Sequence, residues 1–313
     1  MIRSMSSLTG DRAHDHRHDQ RMQRTLLSLA GLSLGDAFGE CFFDNAVLLT
    51  ALQLPGALPP APWTYTDDTE MALAVVEVLA DNGRIVQERL AQVFARRYLR
   101  EPRRGYGGTA HEILRAIGEG TPFATAAGRA FSGMGSMGNG AAMRVAPLGA
   151  YFADDLNEVV AQARASAEVT HAHPDAQAGA IAIAVAAAGA CTLPRGPELG
   201  WQLLDLAIEH SPDGPTRQGL RKARALPRGC TTDLAVSALG NGSRVLSWDT
   251  VPFALWCVAQ QPQDYAATMW RTVLGLGDRD TTCAMAGGIV ALITGEAGLP
   301  ASWLAAREPL AMR

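Results

Sequence analysis

Lysine is almost absent from this 313-residue chain: Lys222 is the only one, and the other basic residues are arginines. With 27 basic against 31 acidic residues the formal net charge is −4, so there is no electrostatic footprint for a nucleic acid or an anionic membrane, and neither is an expected partner. Cysteines are few and scattered. Cys41, Cys191, Cys230, Cys257 and Cys283 form no C-x-x-C pair, which excludes a disulfide framework and a zinc ribbon and makes the cytoplasm the default location. Aromatics make up only 6% of the chain. Alternation of β-branched residues is missing throughout, which argues against strands. Long hydrophobic runs are also missing, apart from residues 176–193, mostly Ala, Gly and Ile. That stretch sits at the lower margin for a membrane span and reads better as a buried core helix. No apolar region follows the polar start of the chain, where His14, His16 and His18 stand among aspartates, so a secretory signal is not expected and residues 1–20 read as a disordered polar tail.

What the chain does have is a succession of Ala-rich apolar stretches divided by short Gly, Pro and Asp punctuation. The spacing predicts an all-α protein, with helices at 21–38, 67–80, 87–100, 108–119, 140–152, 155–169, 175–192, 198–210, 216–225, 251–260, 264–275, 280–295 and 300–307. Asn82-Gly83 is placed to end the second of these with a left-handed cap. No linker, composition break or repeat divides the sequence, so residues 21–313 are expected to form a single compact domain, acting as a monomer.

Four segments could carry chemistry. Thr64-Tyr65-Thr66-Asp67-Asp68-Thr69-Glu70 runs from a Pro-rich loop into a helix. Asp67 with Glu70 three residues on fits a capping box, while the adjacent carboxylates and hydroxyl equally suit a cation. Gly277-Asp278-Arg279-Asp280-Thr281-Thr282 mirrors it. If the fold joins the two, they form an oxygen-only donor set, which suits a hard divalent cation such as Mg²⁺ and not zinc. Without a cation, such carboxylates repel. The glycine-rich stretch Ser132-Gly133-Met134-Gly135-Ser136-Met137-Gly138-Asn139-Gly140-Ala141-Ala142-Met143-Arg144 opens a helix and could cradle phosphates through backbone N–H groups, or be a plain turn. It is neither a P-loop nor a dinucleotide fingerprint. Finally, Thr170-His171-Ala172-His173 offers two imidazoles with no third nitrogen or sulfur ligand at zinc spacing. A cap or a phosphate or ribose contact fits better.

In order and spacing, Gly35-Asp36-Ala37-Phe38-Gly39, Thr66-Asp67-Asp68-Thr69, Arg104-Gly105-Tyr106-Gly107, Gly138-Asn139-Gly140-Ala141-Ala142-Met143-Arg144, Thr170-His171 and Gly277-Asp278-Arg279-Asp280-Thr281 resemble the ADP-ribosylglycohydrolase family over about residues 25–296. The resemblance implies an orthogonal multi-helix bundle with a two-magnesium centre, for which Mn²⁺ could substitute, that cleaves the C1″ bond between ADP-ribose and a protein side chain. It implies Thr66, Asp67, Asp68, Asp278, Asp280 and Thr281 as metal ligands, with Asp68 and Asp280 also orienting water. It further implies that Gly105, Tyr106, Gly107, Gly138, Asn139, Gly140, Met143 and His171 contact the substrate, with Phe131 on the adenine side. The family's mobile glutamate has two candidates here, Glu40 and Asp44, and Glu40 is the one assigned to catalysis. The stretch 104–107 resembles members acting on O-linked ADP-ribose such as ADP-ribosylserine. Arginine-specific hydrolysis, an immunity or binding protein that occludes an ADP-ribosyltransferase, a crystallin-like structural use of the fold, and phosphohydrolysis of the pyrophosphate stand as alternatives.

Overall fold

The computed structural model describes residues 6–312, with side chains from residue 16. Sixteen α-helices account for most of the described residues: α1 (Ser6–Glu40), α2 (Asn45–Gln53), α3 (Asp67–Asn82), α4 (Gln87–Arg100), α5 (Gly108–Gly118), α6 (Phe123–Arg129), α7 (Ala146–Tyr151), α8 (Leu156–Glu168), α9 (Pro174–Thr192), α10 (Leu199–His210), α11 (Pro215–Ala225), α12 (Thr232–Leu239), α13 (Ser247–Gln260), α14 (Tyr265–Val273), α15 (Arg279–Thr294) and α16 (Ala301–Ala306). Among the described residues, extended pairing is limited to two isolated bridges, Trp63 with Arg307 and Gly138 with Leu246.

The Ala-rich stretch becomes α9, started by Pro174 in its first turn and a His173 cap. Its side chains are small on every face, so α7, α8, α10, α13 and α15 all pack against it, and it is the centre of the core. α1 and α9 are long and apolar enough to cross a membrane, yet most of each such stretch is buried inside the protein.

The contact that makes the site is between α1 and α15. Gly31, Gly35 and Gly39 lie on one face of α1, and a Cβ on any of them would overlap a carbonyl oxygen of α15, that of Gly287, Cys283 or Arg279 respectively. The rising numbers on α1 meet falling numbers on α15, so the helices run antiparallel in backbone contact. The C-terminus of α1 is thereby held against the N-terminus of α15. A cluster of Phe38, Phe42, Trp63, Trp270 and Trp303 backs this junction, with Phe38 stacked on Trp303 at 4.4 Å. The C-terminal segment closes over residues 63–65: Trp63 N donates to Ala306 O (2.7 Å) and Glu308 N to Trp63 O (2.9 Å).

Three expectations change. Residues 6–20, read as part of a disordered tail, continue α1, and residues 1–5 lie outside the described residues. The continuation has anchors: His18 Nδ1 bonds the Tyr151 hydroxyl (2.8 Å), and Arg21 and Arg24 pair with Asp154. The helix expected at 140–152 is a 3-10 turn (Asn139–Ala141) followed by α7, which starts where Pro147 suits a first turn. α2, α6 and α12 were not foreseen. Each is only seven to nine residues long, too short to show a helical period.

Candidate active site

Thr66 caps α3, its hydroxyl accepting from Asp68 N (3.3 Å), which puts Asp67 and Asp68 in the first turn, where a helix dipole tolerates carboxylates. The capping-box reading is therefore corrected: the cap is Thr66, and Glu70 faces inward to a buried ion pair with Arg97 (2.8 Å) and the Tyr65 hydroxyl (3.3 Å). The loop before α5 is tied to this turn, since Arg104 O accepts from Asp67 N (2.6 Å) and the Arg104 guanidinium bonds Tyr65 O and Glu308. From the other side, Asp278 and Asp280 begin α15. Thr281 Oγ1 lies 3.3 Å from Asp68 Oδ2, which also lies 3.2 Å from Thr66 Oγ1, so the two acidic helix starts share one oxygen cluster.

Beneath it sits Asp36, a residue of the first motif to which sequence reading gave no role. It is fully buried, and its carboxylate accepts from Thr66 N, Thr66 Oγ1, Thr69 N and Thr69 Oγ1, so it fixes the start of α3. The available signal was an aspartate within the apolar stretch at residues 26–39, which must have partners or a function. Burial, then the charge of Asp280, pushes Asp36 up to about 7. The same two causes push Glu40 up to about 7 and Asp278 up to about 8, and hold Asp67 and Asp68 well above the carboxylate range. Asp280 is itself raised by burial.

A cavity of about 510 Å³ opens from this cluster. Asp67, Asp68, Asp278, Asp280 and Thr281 line one end, while Gly105, Gly107, Phe131, Gly138, Asn139, Gly140, Met143 and His171 are among the residues that line the rest. Thr66 is buried behind the acidic end. Glu40 stands at the end of α1, half-buried beside Asp280 and outside the cavity lining. Asp44 is exposed and occupied in capping α2 through Ala46 N (2.7 Å).

Two of the expected substrate contacts differ from the others in where their side chains lie. Tyr106 does not line the cavity. Its ring is buried edge-on against Tyr98 at 5.1 Å, because the backbone turn that exposes Gly105 and Gly107 directs the side chain between them inward. Asn139 lines the cavity with its amide nitrogen committed: Nδ2 donates to Asp278 Oδ2 (2.6 Å) and Thr250 Oγ1 (3.1 Å), so it positions an acidic residue. The backbone N–H groups of Gly138 and Asn139 are taken as well, by Ser136 Oγ and Val245 O. What the loop offers is close approach, since a Cβ on Gly140 would lie 3.2 Å from His171 Nε2. His173 faces away from zinc chemistry and caps α9. Sequence reading also missed Arg244, Val245 and Leu246, which form a rim against the 138–140 turn. Arg244 is the one arginine lining the cavity, and there is no lysine.

The donor set fits a hard cation. Asp68 Oδ1 and Asp280 Oδ1 are buried without a hydrogen-bond partner, and carboxylates and Thr hydroxyls surround them. Among the described residues no three His, Cys, Asp or Glu side chains form a ready-made metal cage, so the fit depends on the Thr hydroxyls as well.

These features, an all-α fold with two acidic helix starts facing a glycine-lined cavity, agree with the comparison to known families: the chain belongs to the ADP-ribosylglycohydrolase family, whose sequence model matches residues 17–311. It is accordingly an enzyme of the glycosidic-bond hydrolase class. Similar proteins include ADP-ribosylhydrolase ARH3 of Xenopus tropicalis, 30% identical with 90% of each chain covered. ARH3 of Homo sapiens is also 30% identical, covering 88% of this chain and 86% of that one. A solved structure described as an "ADP-ribosylglycohydrolase-related protein complex" superposes with a TM-score of 0.65 at 25% identity, covering 93% and 94% of the two chains.

Proposed function

We propose that this enzyme is a Mg²⁺-dependent ADP-ribosyl hydrolase that releases ADP-ribose from an O-linked protein side chain such as serine. The observation that carries the reading is the junction of Thr281 with Asp68, which gathers both acidic helix starts at one end of a cavity large enough for a nucleotide. Thr66, Asp67, Asp68, Asp278, Asp280 and Thr281 would hold two Mg²⁺, or Mn²⁺ in their place. When bound, these would supply Lewis-acid polarisation and charge stabilisation at the scissile end. The chain's own contribution is positioning. Asp36 holds the first turn of α3, Asn139 holds Asp278, and the α1–α15 contact holds Glu40 beside Asp280. Glu40, with Asp68 and Asp280, orients the attacking water and takes one proton from it as the glycosidic bond opens through an oxocarbenium-like transition state, and the departing side-chain oxygen takes up one proton in exchange and leaves as a neutral hydroxyl. His171 and the 138–140 turn receive the pyrophosphate and distal ribose, Phe131 the adenine side.

Support for an oxygen leaving group comes from the 105–110 wall. Its cavity-lining residues, Gly105, Gly107, Gly108, Thr109 and Ala110, carry no carboxylate to pair with a guanidinium. The five free thiols suit the reducing cytoplasm. The test is release of free ADP-ribose from a serine-modified and an arginine-modified peptide, in Mg²⁺ and then EDTA. EDTA-sensitive release from the serine peptide is the expected result. Release from the arginine peptide alone refutes the linkage, AMP in place of ADP-ribose refutes the bond, and release unaffected by EDTA refutes the metal.

A further inference from the structure

Arg144 ends the glycine-rich motif and is fully buried, its guanidinium 4.5 Å over the Phe94 ring. Its Nη2 donates to Ser166 O (2.8 Å) and to Thr170 Oγ1 (3.0 Å). Burial pulls the group down to about 9, so it still carries its charge at neutral pH and donates only. Thr170, also buried, lies 2.7 Å from His171 Nδ1. Beyond the ring, Nε2 faces the 138–140 turn.

The hydroxyl of Thr170 has one proton, and among the described residues His171 Nδ1 is the one acceptor within reach of it. Were the imidazole proton on Nδ1, two donors would point at Thr170 Oγ1, and its own proton would be buried without an acceptor. Burial and the Arg144 charge also push His171 down to about 3, so the ring is neutral at working pH and its tautomer decides what it can bond.

We propose that Arg144 and Thr170 act as positioning residues that lock His171 in its Nε2–H tautomer, presenting a fixed hydrogen-bond donor to the diphosphate or ribose oxygens of the ligand. The ligand half of this statement depends on the cavity taking ADP-ribose; the tautomer lock does not. Phosphate and ribose oxygens accept, so a lone pair on Nε2 would repel them, whereas an N–H needs no reorientation on binding.

The experiment is long-range ¹H–¹⁵N NMR of the full chain labelled at its seven histidines, with His171→Gln to assign the signal, alongside calorimetric binding of ADP-ribose. The wild type is expected to show a protonated Nε2 and an unprotonated Nδ1. Thr170→Val is expected to lose the single tautomer and weaken ADP-ribose about tenfold, and Thr170→Ser to restore both. A protonated Nδ1 in the wild type overturns the lock, and needs no variant to fold. So does a Thr170→Val protein whose tautomer is unchanged. Tautomer loss without a change in affinity overturns the donor role. If the wild type shows Nε2–H but does not bind ADP-ribose, the lock holds and the reading of the cavity fails.

Discussion

Replacing Asp280 by Asn should stabilise the metal-free protein above neutral pH while abolishing turnover. After burial, the Asp280 charge is the next cause that lifts Asp36 and Glu40 to about 7 and Asp278 to about 8. A carboxyl whose folded pKa exceeds its unfolded value binds protons more readily in the folded state. It therefore costs nothing below pH about 4, and the penalty grows as pH rises through the folded value. For Asp36, moved from 3.8 to about 7, the full penalty is roughly 4 kcal/mol, with burial as its larger part. A charge pair about 4 Å apart in a partly screened site is worth about 4 kcal/mol, and some partners hold protons, so removing Asp280 should return roughly 2–3 kcal/mol at pH 8. Unfolding entropy of about 2.1 cal/mol/K per residue converts this, for 313 residues, to a rise of about 3–5 °C in Tm. In EDTA the gain should be present at pH 8 and absent at pH 4. Adding Mg²⁺ at a hundredfold excess over its Kd should close most of the gap, because the wild type gains about 2.7 kcal/mol and the variant lacks most of that gain. Thermal melts from pH 4 to 8.5, with EDTA or Mg²⁺, measure all of this. A variant less stable than wild type at pH 8 in EDTA, or equally protected by Mg²⁺, would refute the reasoning.

Glu40→Gln should lower kcat about 10²–10⁴-fold with ADP-ribose affinity retained, whereas Asp44→Asn should change kcat little, since Asn also caps helices; steady-state kinetics and calorimetry separate the two. Gly35→Ala drives a methyl into the Cys283 carbonyl and should cost about 1–3 kcal/mol together with activity, while Gly128→Ala, in open space on α6, should be neutral or slightly stabilising in the same melts. Arg244→Ala removes the one arginine lining the cavity and should raise KM several-fold with kcat nearly unchanged, an effect that shrinks in high salt. Asp67→Ala should lower activity by orders of magnitude with the helical circular dichroism intact; unchanged turnover would remove Asp67 from the metal set.

The acidic ligand candidates were legible because each lies within a few residues of its own helix start, where Thr66 and the Gly277 turn are local signals. Roles that depend on which helices touch were not legible. Asp36 acquires its role only when α1 lies against the start of α3, and no spacing within residues 35–39 states that. Tyr106 and Asn139 were read as substrate contacts from the family resemblance of the glycine-flanked stretches that hold them. In a loop, neighbouring side chains can point to opposite sides, so one went into the core and the other to Asp278. The rim at Arg244, Val245 and Leu246 joins the cavity through a pairing about a hundred residues distant in sequence, Gly138 with Leu246.

The placement of the site follows from the kind of surface helices offer. A helix start has unpaired N–H groups and a positive dipole end, so it can hold adjacent aspartates that a helix interior would not. One such start offers too few oxygens for a pair of cations, and two of them repel if brought together without compensation. The three glycines of α1 remove the steric bar by letting α15 approach to backbone contact, and this fixes where α15 begins relative to α3. Buried donors remove part of the electrostatic bar, with Asp36 held by four of them and Asp278 by Asn139. What they leave is the unpartnered oxygens of Asp68 and Asp280 and the raised pKa values around them. A fold that concentrates negative charge so tightly is strained by it, and on the proposed reading cations would relieve that strain and draw part of their affinity from the relief. Stability of the apo-protein and tightness of metal binding are therefore opposed at Asp280, and a substitution there that improved both would mean the carboxylates are not the metal site.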